Sequence, residues 1–165
     1  MQERHSDRRR YFKEQGITTK KYVIPYIEEA ATITPETRVL EVGCGEGGNM
    51  VPFLELGCEG IGVDINSRQI KNATIFVSEI LPDARVKFLD ENIYKLGTED
   101  IGTFDVIMLR DVIEHIPEQE KFMAHLKQFL SPQGVVFFGF PPWRMPFGGH
   151  QQVCDSKLLS TLPYF

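Results

Sequence analysis

Five short apolar runs, each bounded by glycines or turn-forming polar residues, alternate along the chain with stretches whose apolar positions recur at helical spacing. The runs lie at 38–42, Gly60–Asp64, Val86–Leu89, Phe104–Leu109 and Val135–Phe140, and each reads as a strand. Around Thr18 and Thr19, read as N-caps, a helix begins that carries Tyr22, Val23, Tyr26, Ile27 and Ala30 on one face, with Pro25 kinking it or marking its first turn. From Gly48 a second helix covers Met50, Val51, Phe53 and Leu54, accepts Pro52 in its first turn and stops at Gly57. Asn66 or Ser67 caps a long helix with Ile70, Ala73, Val77 and Ile80 on one face, closed by Pro82 and Asp83. Residues 91–103 are polar, with room for one short helix or none, and a last helix places Phe122, Leu126, Phe129 and Leu130 together. Ser131-Pro132-Gln133-Gly134 reads as the turn before the fifth strand. Strand and helix alternating throughout predict a doubly wound α/β fold, with a parallel sheet and helices on both faces.

The first strand breaks into Glu41-Val42-Gly43-Cys44-Gly45-Glu46-Gly47-Gly48. Glycines there let the backbone turn sharply and approach a ligand, which makes the stretch a candidate nucleotide site. Gly43, Gly45 and Gly48 satisfy the dinucleotide spacing G-x-G-x-x-G, and Asp64 follows at the distance of a ribose-binding acid. Charge separates the readings: Glu41 at the strand end and Glu46 in the turn would repel a diphosphate and favour a cationic ligand. Four strand-end acids, Glu41, Asp64, Asp90 and Asp111, are expected to converge on the crevice at the carboxyl ends of the strands.

Composition narrows the picture further. The 165 residues suggest one domain, divided into an N-terminal arm and lid helix (1–33), a ligand-binding core (34–140) and an acceptor-side loop with a short helix (141–165). No apolar run approaches the length of a membrane span. Cys44, Cys58 and Cys154 form neither a metal pattern nor a disulfide framework, which favours a reducing cytoplasm. The net charge of −5 divides into +4 over residues 1–21 and −9 over the rest. That basic arm reads as solvated, residues 1–10 as mobile, and nucleic acid is not expected as a substrate for so acidic a body.

The strand, E-x-G-x-G-x-G and helix of residues 39–54 resemble motif I of the class I S-adenosylmethionine-dependent methyltransferases, whose cofactor is a sulfonium without phosphate. Asp-Val-Ile-Glu-His-Ile-Pro at 111–117 resembles the V-L-E-H-V/I-P segment of the small-molecule branch that includes the quinone-biosynthesis methyltransferases. The resemblance covers roughly residues 38–140 and implies strand order 3-2-1-4-5. It implies that Asp64 grips the ribose hydroxyls, Ile65 lies against the adenine, Asp90 receives the adenine amino group and the Glu91 N–H reaches a ring nitrogen. Gly43, Gly45 and Gly47 would pass beneath the methionine part, the Leu109 carbonyl would take the ammonium, and Glu41 would favour the cation.

Methyl transfer asks for alignment and exclusion of water, and sometimes for a base. His150, in a Gly-Gly-His loop, and His115 are the base candidates, whereas His5 and His125 fall in no motif. Asp111, Glu114 and His115 do not make a full metal-ligand set, so no metal is expected. Phe140, Trp143, Met145 and Phe147 suggest a partly apolar wall for a small-molecule acceptor. The family fold usually continues past a fifth strand, so the last strands read as missing, either by truncation or with a second copy covering the fifth-strand edge as a homodimer. The expectation is an S-adenosylmethionine-dependent methyltransferase that releases S-adenosylhomocysteine. The rivals are a nicotinamide-dependent oxidoreductase and a non-enzymatic cofactor-binding module.

Overall fold

A computed structural model describes residues 7–140. Five parallel strands form one sheet in the order β3-β2-β1-β4-β5, with β1 at Arg38–Val42, β2 at Glu59–Asp64, β3 at Val86–Asp90, β4 at Phe104–Arg110 and β5 at Leu130–Gly139. The order expected from the motifs is the order found. The chain runs outward from β1 to β3, then crosses back to place β4 on the other side of β1. That reversal opens a crevice between the carboxyl ends of β1 and β4, where open α/β sheets receive ligands.

Two apolar layers cover the sheet. Val39, Met50, Phe53, Val77, Val106 and Met108 belong to one, Leu40, Ile61, Ile107, Leu109, Phe122 and Phe129 to the other. Alternate residues of β1 and β4 thus serve opposite faces, which is why these strands read as continuous apolar runs. The helix α4 (Ser67–Ile80) is capped by Asn66, whose side chain accepts from the N–H groups of Arg68 at 3.2 Å and Gln69 at 3.3 Å. Its buried face is Ile70, Ala73, Phe76 and Val77, with Phe76 in the place expected for Ile80, which is exposed. The helix α3 is short, Val51–Glu55, and carries Pro52 in its first turn as expected.

The amino-terminal segment departs from the sequence reading. The helix α1 spans Arg8–Thr18, starting at an Asp7 cap whose side chain accepts from the Arg10 N–H at 2.9 Å. It continues through a π-helical stretch at Thr19–Val23 into α2 (Ile24–Glu28). Thr18 and Thr19 are therefore interior to a helical run and cap nothing; Thr19 is fully buried and bonds to Asn49 instead. Of the stretch expected to be mobile, the described residues 7–10 open α1, with ion pairs from Arg8 to Glu46 and from Arg9 to Glu79.

Two smaller differences have local causes. Residues 91–103 form two short elements, a 3₁₀ turn at Ile93–Lys95 and α5 at Thr98–Ile101. After α6 (Gln119–Leu126) and a 3₁₀ turn at Lys127–Phe129, β5 begins at Leu130, five residues earlier than expected. Leu130 pairs with Phe104 and Val135 with Val106, so residues 131–134 bulge opposite the single Asp105. Ser131 Oγ donates to Asp105 Oδ1 at 2.9 Å and fixes the bulge. Residues 141–165, which hold His150, Trp143, Met145, Phe147 and the expected short helix, lie outside the described residues.

Candidate cofactor site

At the carboxyl ends of the strands lies a crevice of about 930 Å³, walled by α1, the turn after β1, the ends of β2 and β3, and the segment after β4. Its size is that of a pocket for a nucleoside-sized ligand. Asp64 ends β2 on this wall. Its Oδ2 accepts from the Gly45 N–H at 2.9 Å and its Oδ1 from the Asn66 N–H at 2.8 Å, so each oxygen keeps a lone pair for a further donor. Ile65 beside it is 77% exposed yet lines the crevice, an apolar surface left open next to a carboxylate.

The turn after β1 is organised by internal hydrogen bonds. The Gly43 and Cys44 N–H groups donate to the Val63 carbonyl at 2.7 and 3.2 Å, Gly45 N–H to Asp64, and Gly47 N–H to the Cys44 carbonyl at 2.9 Å. Gly45 has φ of 54°, and a Cβ built there would meet only the Gln69 side chain, at 3.9 Å, so its face toward the crevice is open. A Cβ at Gly43 would run into Val112, the first apolar residue of the 111–117 segment. Gly47 faces the core instead, against Phe88, and does not line the crevice. Gly48 lets the backbone of α1 approach, since a Cβ there would collide with the Phe12 carbonyl.

The four strand-end acids do not all reach this crevice. Asp64 and Asp111 line it; Asp90 is exposed and is absent from its walls, where Glu91, Asn92 and Tyr94 stand instead. The Glu91 N–H, expected to meet a ligand nitrogen, donates to the Asp64 carbonyl at 3.1 Å. Glu41 is 1% exposed beneath the crevice floor. Its Oε1 accepts from Asn49 Nδ2 at 2.8 Å, and its Oε2 is buried without a hydrogen-bond partner among the described residues. Burial is the main cause that pushes the Glu41 carboxyl up to about 8, against the opposing Asn49 bond and the Arg110 charge. Leu109 is fully buried in the core, and the next residues, Arg110 and Asp111, form the wall.

Glu46 is also buried, and the Arg8 guanidinium meets its carboxylate at both oxygens, Nε to Oε1 at 2.7 Å and Nη2 to Oε2. The negative charge expected to repel a diphosphate is therefore countered within the protein. What disfavours a diphosphate is instead the turn itself, whose N–H groups at 43, 44, 45 and 47 already have acceptors.

Tyr11, within the arm and lid region expected at 1–33, lines the crevice; burial and the nearby Asp111 charge push its phenol up. Arg110, on the same wall, was not singled out as a site residue from the sequence. Arg110 Nη1 donates to Asn49 Oδ1 at 2.6 Å and to Thr19 Oγ1 at 3.3 Å, and Thr19 Oγ1 donates to Asn49 Oδ1 at 3.0 Å. With Glu41 this network ties β1, β4 and the π-helical stretch together. No signal within any one segment could have revealed it, although an Asn among apolar residues at the end of a glycine turn is a cue. Of the base candidates, His115 is exposed on a 3₁₀ turn (Ile113–His115) at the crevice wall, and His150 lies outside the described residues. His125 sits away from the crevice, its Nε2 2.8 Å from the Ile93 carbonyl and its ring against Phe129. Among the described residues no group of three His, Cys, Asp or Glu side chains could hold a metal ion, and no helix is long and apolar enough to cross a membrane.

Comparison with known proteins places this geometry. The chain is 27% identical over 115 residues to a ubiquinone biosynthesis O-methyltransferase from Bordetella avium, covering 70% of this chain and 47% of that protein. It is 32% identical over 106 residues to the 2-methyl-6-phytyl-1,4-hydroquinone methyltransferase of Synechocystis sp., covering 64% and 32%. The chain thus spans less than half the length of these curated relatives. Among solved structures, PKMT2 from Rickettsia typhi in complex with AdoHcy superposes with a TM-score of 0.63 at 26% identity, over 73% of this chain and 25% of that one. Magnesium protoporphyrin IX methyltransferase (ChlM) from Synechocystis PCC 6803 with bound SAM shares the fold, with a TM-score of 0.65 at 23% identity over 79% and 60% of the two chains. A family described as Methyltransferase domain matches residues 11–151, from the crevice wall of α1 to beyond β5. The chain belongs to this methyltransferase-domain family.

Proposed function

We propose that the chain binds S-adenosylmethionine in the crevice and transfers its methyl group to a small-molecule acceptor. The observation that carries this reading is the turn after β1: its N–H groups at 43, 44, 45 and 47 are satisfied internally while the Asp64 carboxylate and the bare Ile65 side chain stand open beside it. Such a site suits an uncharged nucleoside with ribose hydroxyls to donate, and it offers little to a diphosphate. Family membership and the AdoHcy and SAM complexes of the structural neighbours point the same way.

The cofactor supplies a methyl group already activated on a sulfonium. Asp64 uses the remaining lone pairs of its two oxygens to hold the ribose hydroxyls, and Ile65 packs against the base. Gly45 admits the ligand to the turn where any side chain would stand in the way. Tyr11 and Gln15, carried by α1, cover the crevice from above and restrict water. The His115 imidazole lines this wall and is the described base candidate for an acceptor proton. His150, Asp90, Glu91, Gly47, Glu41 and Leu109 remain site candidates through the family pattern, with Glu41 acting from beneath through Asn49. Buried free thiols at Cys44 and Cys58 accord with a reducing compartment such as the cytoplasm. The relatives' names direct the acceptor search to quinol-type rings.

Calorimetric titration of the chain with S-adenosylhomocysteine and, in parallel, with NAD tests this. Micromolar binding of the first alone is the expected result. Binding of NAD alone overturns the reading in favour of an oxidoreductase. Cofactor binding without release of S-adenosylhomocysteine across a panel of quinol-type acceptors would leave a binding module.

A further inference from the structure

The helical run over residues 8–28 has a side that neither packs on the sheet nor lines the crevice. Phe12, Thr19, Val23, Ile24 and Ile27 are its buried residues, and Arg8, Tyr11 and Gln15 line the crevice. Away from both, Arg10, Lys13, Ile17, Lys20 and Lys21 follow one another at helical spacing and share one strip, and all five are exposed. Tyr22 and Tyr26 extend this surface past the π-helical stretch. Ile17 is 66%, Tyr22 60% and Tyr26 63% exposed, although their spacing put both tyrosines on the packed face with Val23 and Ile27. Phe137 meets the Tyr26 ring edge-on at 6.0 Å, so that ring is held in its outward place.

The strip is basic. Glu14 pairs with Arg10 at 3.0 Å and Glu55 with Lys20 at 2.8 Å, while among the described residues no carboxylate pairs with Lys13 or Lys21. The Lys21 ammonium lies 5.0 Å from the centroid of the Tyr22 ring, so cation and aromatic share one surface. Single exposed apolar residues are ordinary, but an isoleucine and two tyrosines aligned with four cations have the composition of a helix lying in a lipid headgroup layer. There lysine stems run along apolar surface with their ammoniums among anionic headgroups, and tyrosine withdraws its ring while its hydroxyl stays wet. A nucleic-acid backbone would use the cations and leave Ile17 in water. The acids Glu28 and Glu29 come only after Tyr26, at the far end of the run.

We propose that residues 10–26 form an interfacial surface by which the protein docks reversibly on an anionic lipid bilayer. Ile17, Tyr22 and Tyr26 lie at the headgroup boundary, and Arg10, Lys13, Lys20 and Lys21 lie among the headgroups. The charge of −9 on the chain after residue 21 is repelled by the same bilayer, so the strip also sets the orientation of the docked protein. Tyr11 and Gln15 stand on another flank of α1, and a helix is about 10 Å across, so docking holds that wall of the crevice about one helix diameter from the lipid.

Co-sedimentation of the full chain with vesicles tests this, using phosphatidylcholine alone and phosphatidylcholine with about one-third phosphatidylglycerol. The expected result is binding to the mixed vesicles at least about tenfold tighter than to the neutral ones, and weakened by added salt. Lys13→Glu/Lys21→Glu and Ile17→Ser/Tyr22→Ser should each weaken that binding at least about fivefold. All four side chains are exposed, so circular dichroism should show both variants folded, and if one does not fold the other still decides. A wild-type chain that leaves the mixed vesicles unbound, or binds both kinds equally, overturns the proposal. So do variants that bind as the wild type does, since the contact then lies elsewhere on the chain. A loss confined to the lysine variant overturns it as well, because the attraction is then charge alone without interfacial burial. Binding of a labelled DNA duplex in place of the vesicles, read by fluorescence anisotropy, overturns it in favour of a nucleic-acid surface.

Discussion

Replacing Glu41 by Gln tests the electrostatics of the crevice floor without changing its shape. In the folded chain this carboxyl is 1% exposed, has one donor in Asn49 and an orphan Oε2, and burial pushes it up to about 8 from the ordinary 4.5. Between those two values the folded state keeps a proton that the unfolded chain has released. Stability must therefore fall as pH rises through this window, then level off above about pH 8 where both states are ionised. Each pH unit inside the window costs about 1.4 kcal/mol per proton, so the full span is worth up to about 5 kcal/mol, of which about 4 kcal/mol falls between pH 5 and pH 8.5. Local relaxation and water entry would halve that figure, to about 2 kcal/mol. Glu41→Gln keeps an acceptor for Asn49 and removes the titration. Urea unfolding of both proteins from about pH 5 to pH 8.5 should show the wild type losing about 2–4 kcal/mol relative to the variant, with other titrating groups cancelling in the difference. A difference that stays flat across the series would refute the argument, because it would mean that Asn49 and Arg110 suffice to keep Glu41 ionised in the folded chain.

Other expectations follow from single contacts. Arg8→Ala strands the buried Glu46 carboxylate and should cost about 3 kcal/mol in urea unfolding, most of it recovered in the double variant Arg8→Ala/Glu46→Gln. Asp64→Ala removes the acceptor of the Gly45 and Asn66 N–H groups together with the ribose partner, and should weaken S-adenosylhomocysteine binding by at least about 1.5 kcal/mol; unchanged affinity in a folded variant would sink the ribose assignment. Gly45→Ala should lower stability by about 1 kcal/mol through its positive φ and also reduce ligand affinity, measured by the same titration. Gly48→Ala, whose new methyl group meets the Phe12 carbonyl, should instead detach α1, seen as faster amide exchange of that helix alone.

Strand positions and their order were legible because each apolar run is bounded by glycine, proline or charged residues, and the crossing from β3 back to β4 follows from motif order. Asn66 as cap, Pro52 in a first turn and Gly57 as a stop were readable for the same local reasons. The helix α1 was not, since Phe12 is its one buried residue and what fastens it comes from Glu46 and Glu79, 38 and 70 positions away. The bulge at 131–134 looked like a turn because its Pro and Gly are turn residues, and only pairing with Phe104 and Val106 shows it to lie within a strand. Asp64 was placed correctly on the crevice wall by its position at a strand end. Glu41 occupies a strand end too, but β1 is buried on both faces, so no alternation in the sequence reveals that its side chain points beneath the crevice. The Arg110–Asn49–Thr19 contacts join residues as far as 91 positions apart, beyond the reach of any local pattern.

The way α1 is attached has a consequence for the rates of ligand traffic. Residues 19–27 are anchored by buried Thr19, Val23, Ile24 and Ile27, whereas residues 8–18 contribute Phe12 to the core and otherwise hold on through charges at Arg8 and Arg9. The helix can fray back to the π-helical stretch without disturbing a single strand pair, so its opening is cheaper than unfolding of the sheet. Tyr11 and Gln15 leave with it, and the crevice loses one wall while Asp64, Gly45 and Arg110 stay in register. A bound molecule can therefore depart through an opening that closes again on a prearranged site, and salt, which weakens the two ion pairs, should quicken departure more than it weakens the fold.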